Sequence, residues 1–240
     1  SYGVGVNRLD WESGRFELYA PDPSRPGSLS DSRVMCLMVD RSGILWVGTM
    51  TKGLDRFDRN KGSFTNYRHD QNDLGSISAD GVTAIFEDST GTIWVGTSSG
   101  GLNRMEGRSG RFIRHRHDPD DPGSIADDRV LAIYEDGYRV LWVGTKGGGL
   151  NRYDRRTGTF TSFRHDPEDP TSLSDDQVLS ICQDRDGAIW AGTLNGGLCR
   201  LVTATGRFTR YRHDPDDPFS LSHDRVFALA IDPAGNLWVV

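Results

Sequence analysis

Four histidines offer the most conspicuous chemistry: His69, His117, His165 and His213, each followed by an aspartate, Asp70, Asp118, Asp166 and Asp214. A histidine beside a carboxylate is the arrangement of a general base or of a metal ligand, since the carboxylate orients the imidazole and raises its basicity. The copies, however, stand at a constant interval of 48 residues, so each belongs to its own unit of chain. Sheets pack about 10 Å apart, which spreads four such units too widely for their histidines to meet on one ion. The expected role is structural: each ring anchors the loop after it by hydrogen bonds to backbone.

Those loops, Asp118-Pro119-Asp120-Asp121-Pro122 and its copies at 166–170 and 214–218, carry enough carboxylates to suggest Ca²⁺. They lack the alternating order of a dedicated calcium loop. Proline fixes φ and aspartate accepts local backbone bonds, so turn formation accounts for them. The run Gly147-Gly148-Gly149 precedes a strand-like segment and no helix, which argues against a phosphate cradle. Cys36, Cys182 and Cys199 fall in apolar runs at three different positions of the unit; they read as small buried residues, with neither a disulfide framework nor a zinc site. No catalytic residue, metal or cofactor is assigned, and the chain is expected not to be an enzyme.

The net charge is −6, with acids and bases interspersed. A phosphate-tracking surface needs clustered Lys and Arg, so nucleic acid is excluded as a partner. No stretch approaches the roughly 18 apolar residues of a membrane span, and no membrane insertion of this segment is expected. A first residue of Ser leaves an excised domain, a mature fragment and an engineered chain all open.

The elements that would position any site come from the repeat. Trp46, Trp94, Trp142, Trp190 and Trp238 are 48 residues apart at every step, and the 240 residues align without a gap as 1–48, 49–96, 97–144, 145–192 and 193–240. Each unit holds four strand-like runs. The first starts at Val34, Val82, Val130, Val178 or Phe227 and is apolar on both faces, which predicts burial on both. The second contains the tryptophan, the third begins with Leu-Asn-Arg or its variants, and the fourth begins at Phe16, Phe64, Phe112, Phe160 or Phe208. Nothing has a helical period.

Four-stranded meanders repeating every 40–50 residues predict an all-β fold, a five-bladed β-propeller forming one domain over 1–240. A single meander cannot bury both faces, so blades must stack, with each tryptophan as a wedge between them. Residues 1–20 supply only third and fourth strands, and residues 226–240 only a first and second. We expect these N-terminal and C-terminal strands to pair and close the ring, hiding edges that invite aggregation; an open fragment of a larger ring is the alternative.

The string from Ile85 to Arg104, Ile-x-Glu-Asp-x-x-Gly-x-Ile-Trp-Val-Gly-Thr followed by Gly-Gly-Leu-x-Arg, resembles the two-component regulator propeller repeat. The segment from Gly158 to Ser174, with Phe-Arg-His-Asp-Pro and Asp-Pro-Thr-Ser-Leu-Ser, is similar to its continuation, and the likeness extends over all five units. The resemblance implies a sensory propeller of bacterial signalling proteins, periplasmic or extracellular, ahead of a membrane helix and an output module; some members sense oligosaccharides. One departure is Arg139, which stands where the other units have glycine in the first turn, and Gly137 is expected to supply the positive φ there. Others are Ala20-Pro21 in place of Arg-His, and Val4 and Val240 in place of small residues.

Residues that differ between units mark the candidate site. In a propeller the loops entering the innermost strand and those joining the second and third strands share one face around the channel mouth. The first set carries Asp31, Arg33, Gly81, Asp127, Arg129, Asp175, Gln177, His223 and Arg225; the second carries Tyr2, Met50, Lys52, Ser98, Ser99, Lys146, Leu194 and Asn195. Such donors and acceptors suit hydroxyl-rich or carboxylated ligands, or a polar protein surface. The expected function is a non-catalytic ligand-sensing module binding carbohydrate-like polar ligands, with a protein-interaction or engineered scaffold and a propeller lyase or hydrolase as the alternatives.

Overall fold

The structure, a computed structural model, describes residues 3–107 and 109–240. Its contacts divide into two compact units, Ser1–Arg114 and His115–Val240. The first contains β1 (Val6–Leu9), β2 (Phe16–Tyr19), β3 (Val34–Val39), β4 (Leu45–Thr49), β5 (Leu54–Asp58), β6 (Ser63–Tyr67), β7 (Val82–Glu87), β8 (Ile93–Thr97), β9 (Leu102–Met105) and β10 (Phe112–His115), whose last residue lies at the boundary. The second contains β11 (Val130–Glu135), β12 (Leu141–Thr145), β13 (Leu150–Asp154), β14 (Thr159–Phe163), β15 (Val178–Gln183), β16 (Ile189–Thr193), β17 (Leu198–Val202), β18 (Arg207–Tyr211), β19 (Leu229–Ile231) and β20 (Leu237–Val239). Among the described residues there is no helix.

Strands pair in sequence order. β3–β6, β7–β10, β11–β14 and β15–β18 form four-stranded antiparallel sheets, while β1–β2 and β19–β20 are two-stranded. The expected ladder between the N-terminal and C-terminal pairs is not among the hydrogen-bonded pairings of the described residues; what is formed is four complete meanders and two half-meanders. The first two strands of every complete meander share one irregularity, a register shift between Val34 and Cys36 and at the equivalent positions beginning at Val82, Val130 and Val178. A bulge there bends the strand and re-aims the residues entering it.

The turn after the first strand is held by aspartate. In the second repeat Asp88 Oδ1 accepts the backbone N–H groups of Thr90 and Thr92 at 2.9 and 3.1 Å, the local bonding for which aspartate is favoured in turns. Gly43, Gly91, Gly187 and Gly235 close their turns at φ of 78°, 82°, 85° and 94°. Arg139 does the same at φ 64°. The expectation that Gly137 would take over is therefore corrected: Arg139 N–H still bonds Asp136 O at 3.0 Å, and keeping that register forces the arginine itself into the left-handed region.

The expected tryptophan wedge is buried in three of the five repeats, whereas Trp190 is half-buried and Trp238 is 61% exposed. Trp46 packs with Val82, Ile93 and Val95 of the following sheet, and Trp142 with Ile181, Ile189 and Ala191. Trp46, Trp94 and Trp142 are 4%, 0% and 1% exposed. A ring of this kind removes roughly 150–250 Å² from water, at most about 4–6 kcal/mol of burial. The innermost strands are less buried than their composition predicts: β7 and β11 are mostly half-buried, and β3 alternates between half-buried and exposed. Only outer strands, β1 and β2, precede β3 in its unit, so nothing there covers Leu37 and Val39.

Candidate functional site

Within each complete meander the two predicted loop sets are joined by one backbone bond. Met50 N–H reaches Arg33 O at 2.9 Å, Ser98 reaches Gly81 O at 2.8 Å, Lys146 reaches Arg129 O at 2.9 Å, and Leu194 reaches Gln177 O at 3.0 Å. The loops entering the first strand and those between the second and third thus lie side by side, as expected. Tyr2 falls outside the described residues.

The acids of this face have a structural task. Asp31, only 7% exposed, accepts Arg33 N–H at 3.0 Å through Oδ1, and Thr51 N–H and Oγ1–H at 3.1 and 2.7 Å through Oδ2. Burial alone would raise its carboxyl; the bonds from Thr51 and Arg33 outweigh that and hold it below its ordinary value. Asp127 likewise accepts Arg129 N–H at 2.9 Å and the guanidinium at 2.9 Å, and its carboxyl too is held low against the effect of burial. Asp175 accepts Gln177 N–H at 3.1 Å and Asn195 N–H at 2.8 Å. In the last unit His223 Nδ1 accepts Arg225 N–H at 3.0 Å, so an imidazole substitutes for the carboxylate as turn acceptor.

What faces solvent is basic and amide-bearing. In the first unit Lys52 is exposed and Arg33 half-buried; in the second Arg129, Lys146, Asn195, His223 and Arg225 are exposed and Gln177 half-buried. The Asp127–Arg129 pair is bidentate, a geometry that fixes the plane of the guanidinium. In chemical terms the face offers oriented donors for hydroxyl or carboxylate oxygens.

The four histidines behave as structural anchors. Nδ1 of His69, His117, His165 and His213 lies 2.9, 2.9, 2.8 and 2.7 Å from the carbonyl oxygens of Ile77, Ile125, Leu173 and Leu221. A carbonyl only accepts, so each ring donates from Nδ1. The aspartates after them cap their own loops: Asp118 Oδ1 accepts Asp120 N–H at 3.0 Å, and Asp166 Oδ1 accepts Glu168 N–H at 2.9 Å. Among the described residues no group of three or more His, Cys, Asp or Glu side chains is placed to hold a metal ion. The cysteines are unpaired; burial pushes the thiols of Cys36 and Cys182 up to about 12 and about 11, and that of Cys199 upward as well.

Three structural residues escaped the sequence reading. One is the aspartate six positions before each tryptophan: Asp40, Asp88, Asp136, Asp184 and Asp232 accept the indole N–H at 2.8–3.0 Å, a pairing whose signal was its presence in all five units. Another is the buried row Asp55, Asn103 and Asn151, which accept the backbone N–H of Ser30, Ser78 and Ala126. The third is the threonine of Trp-Val-Gly-Thr: Thr49, Thr97, Thr145 and Thr193 close the loop to the third strand through Oγ1. One stretch, Gly96-Thr97-Ser98-Ser99-Gly100, has the spacing of a nucleophile elbow. It joins β8 to β9, whereas the elbow needs a strand-to-helix turn, so Ser98 has no such role.

Comparison with known proteins gives the lineage of the repeat. Residues 28–51, 76–99, 124–147 and 172–195 match the two component regulator propeller family. No curated protein matches the sequence. Among solved structures, the extracellular domain of a proposed hybrid two component system, BT3049 from B. thetaiotaomicron, is 25% identical with a TM-score of 0.78 over 100% of this chain and 30% of that one. The extracellular domain of a proposed one component system, BT4673 from the same organism, is 21% identical with a TM-score of 0.75, over 99% of this chain and 29% of that one. Virginiamycin B lyase from Staphylococcus aureus shares the fold at 19% identity and a TM-score of 0.68, over 99% of this chain and 71% of that one. The chain thus spans about 30% of the length of the first of these. Its all-β meanders are propeller blades, and the chain carries the repeat of the two component regulator propeller family.

Proposed function

We propose that the chain is the ligand-recognising propeller segment of a bacterial two-component-type signalling protein, lying outside the cytoplasmic membrane and doing no catalysis itself. The observation that supports this best is the match of four successive repeats to the family, together with the likeness, over the whole chain, to the extracellular domain of a proposed hybrid two component system. The architecture in this reading is five blades, the fifth assembled from the third and fourth strands of residues 6–19 and the first and second strands of residues 229–239. The ligand contacts are assigned to the loops of the second unit carrying Arg129, Lys146, Gln177, Asn195, His223 and Arg225, with Asp127 and Asp175 holding those loops in shape.

The ligand class is a polar, hydroxyl-rich or carboxylated molecule such as an oligosaccharide or uronate. Paired guanidinium and amide donors suit oxygen acceptors, and the aspartates beneath them fix the geometry before binding, which lowers the ordering cost. Thermal unfolding against pools of neutral oligosaccharides, uronates and peptides tests this. A saturable rise in Tm with one pool, lost in the Arg129→Ala/Arg225→Ala double variant, is the expected result. A rise that persists in the double variant refutes the placement at these loops. Turnover of any compound refutes the non-catalytic reading, and binding only to a protein favours a scaffold.

A further inference from the structure

We propose that the groove beside loop 20–29 is a guanidinium seat, which takes the head group of an arginine or arginine-like compound from outside this chain. It shares no residue with the loops assigned to the ligand above, so the two can be tested separately.

Two sister loops show what such a seat holds. Within the first unit, loop 69–78 receives Arg114 from β10. Its Nη2 donates to Asp73 O at 2.8 Å and Ser76 Oγ at 2.7 Å, and its Nε to Ser76 O at 2.9 Å. Within the second unit, loop 165–174 receives Arg210 from β18, and the same three contacts recur: Asp169 O at 2.8 Å, Ser172 Oγ at 2.7 Å and Ser172 O at 2.9 Å. Nε and Nη2 form one edge of a rigid planar fork, and an ammonium group has no equivalent pair of donors.

Loop 20–29 has the same frame. Asp22 N–H bonds Ser28 Oγ at 3.0 Å, as Asp70 N–H bonds Ser76 Oγ at 2.8 Å. Phe64 N–H bonds Gly27 O at 2.7 Å, as Phe112 N–H bonds Gly75 O at 2.7 Å. What differs is the side chains that fill it. The residue 48 positions before Arg114 is Asn66, and its Nδ2 turns instead to Lys52 O at 2.8 Å and Asp55 Oδ1 at 3.0 Å. The residue 48 positions before His69 is Pro21, so the ring that meets Ile77 O at 2.9 Å has no counterpart.

The acceptors are left in place without these donors. Ser28 O and Leu29 O accept no hydrogen bond among the described residues, although Leu29 is only 1% exposed. Carbonyls in such positions are nearly always paired. Beside them lies a groove of about 450 Å³, lined by Tyr19, Asp22, Arg25 and Phe64 together with Ser28 and Leu29. Charge does not oppose a cation there. Glu17, also on the lining, pairs with Arg8 at 2.7 Å, Asp22 offsets Arg25, and Arg25 directs its own Nη2 towards Gly62 O, 3.5 Å away. The opening traces to residues 21 and 66, since the sister seat with the same loop frame is filled by Arg114.

The test is titration of the isotope-labelled chain with N-acetyl-arginine amide, N-acetyl-lysine amide and a short peptide carrying one arginine, read at the backbone amides of Gly27, Ser28 and Leu29. Saturable shifts with both arginine probes and none with the lysine compound are expected. Tighter saturation by the peptide assigns the seat to an arginine on a protein partner, and equal saturation assigns it to a free guanidinium compound. Asn66→Arg supplies from β6 the side chain that Arg114 supplies from β10, and it is expected to abolish the shifts. Asn66→Ala removes the same Asn66 bonds but leaves the seat open, and it is expected to keep them, which separates filling of the seat from damage to β6. Shifts that are absent with arginine, equal with lysine, retained in Asn66→Arg or lost in Asn66→Ala overturn the proposal.

Discussion

Asp55→Asn is expected to stabilise the protein at neutral pH and to leave it unchanged in acid. Asp55 is fully buried. Its Oδ2 accepts Ser30 N–H at 3.1 Å and Ser30 Oγ–H at 2.5 Å, and its Oδ1 accepts Asn66 Nδ2–H at 3.0 Å. Burial raises the carboxyl, and these bonds offset only part of the effect. The sister repeats show what an amide does in the same place: Asn103 accepts Ser78 N–H at 2.9 Å and donates to Ser78 Oγ at 2.8 Å and to Val95 O at 3.2 Å. The amide can keep both bonds with Ser30 and gives up only the one from Asn66, whose Nδ2–H still donates to Lys52 O at 2.8 Å, so the difference between the two side chains is dominated by the cost of a buried charge.

That cost sets the magnitude and the pH dependence. Keeping the Ser30 bonds and removing the charge should gain about 1 kcal/mol at pH 7, which for a chain of this size is roughly 2–4 °C in Tm. The sign follows from linkage. A carboxyl whose folded pKa is raised binds its proton more tightly in the folded state, so its contribution is fully present below its ordinary value of 3.8 and is lost as the pH climbs through the higher folded value. Asn does not titrate there. Urea unfolding of both proteins across a pH series from acid to neutral should therefore show a gap that is absent at the acid end, opens above pH 3.8 and then stays level. A gap independent of pH, or a variant less stable than the parent at pH 7, would refute the account of Asp55 as a buried charge.

Three further substitutions test other parts of the framework. Trp94→Phe keeps the ring and removes the indole N–H that Asp88, itself 0% exposed, accepts at 2.8 Å; urea unfolding should show a loss of about 1–3 kcal/mol. Arg139→Gly relieves a left-handed arginine at φ 64°, a conformation costing about 1–2 kcal/mol for a residue with a Cβ, against about 0.4–1 kcal/mol of added chain entropy in the unfolded state; calorimetry should find it neutral to about 1.6 kcal/mol more stable. His117→Ala removes the bond to Ile125 O at 2.9 Å, and about 1 kcal/mol of stability should go with it, with faster amide exchange over residues 118–124.

Much of this was legible because repetition inside one chain does the work of comparison. The strands of the complete blades fall where period and turn residues put them, and the bonds of the histidine rings to backbone carbonyls agree with the anchoring role expected from their spacing. The misses have physical causes. The first strands look buried on both faces because Val-Leu-Ala-Ile runs are apolar throughout, yet burial depends on which strands of a neighbouring sheet lie opposite, and beside β3 the sheet is only β1 and β2. Gly137 looked like the residue for positive φ because glycine adopts it at no steric cost, but the bond from residue 139 to Asp136 fixes the register and leaves arginine to adopt the strained angle. The indole-to-aspartate bonds needed side-chain geometry, since two constant residues six apart are silent about which atom meets which.

The aspartates of the loop face show why repeat differences narrow the search without completing it. Asp31, Asp127 and Asp175 were grouped with the basic residues because all of them vary between units. The structure separates the two sets by what their atoms already touch: the carboxylates accept bonds from the turn and from the adjoining loop, leaving little capacity for a ligand. Arg129 is different, because its guanidinium is held in plane by Asp127 at 2.9 Å while the side chain remains half exposed. Arg225 follows a histidine acceptor in place of a carboxylate, so residue 223 offers no carboxylate to hold its guanidinium in plane. A ligand at this face should therefore depend on Asp127 indirectly, through Arg129. Asp127→Asn would weaken binding by loosening the arginine, and Arg129→Ala would remove most of what Asp127→Asn leaves; equal and additive losses from the two would mean that the carboxylate touches the ligand itself.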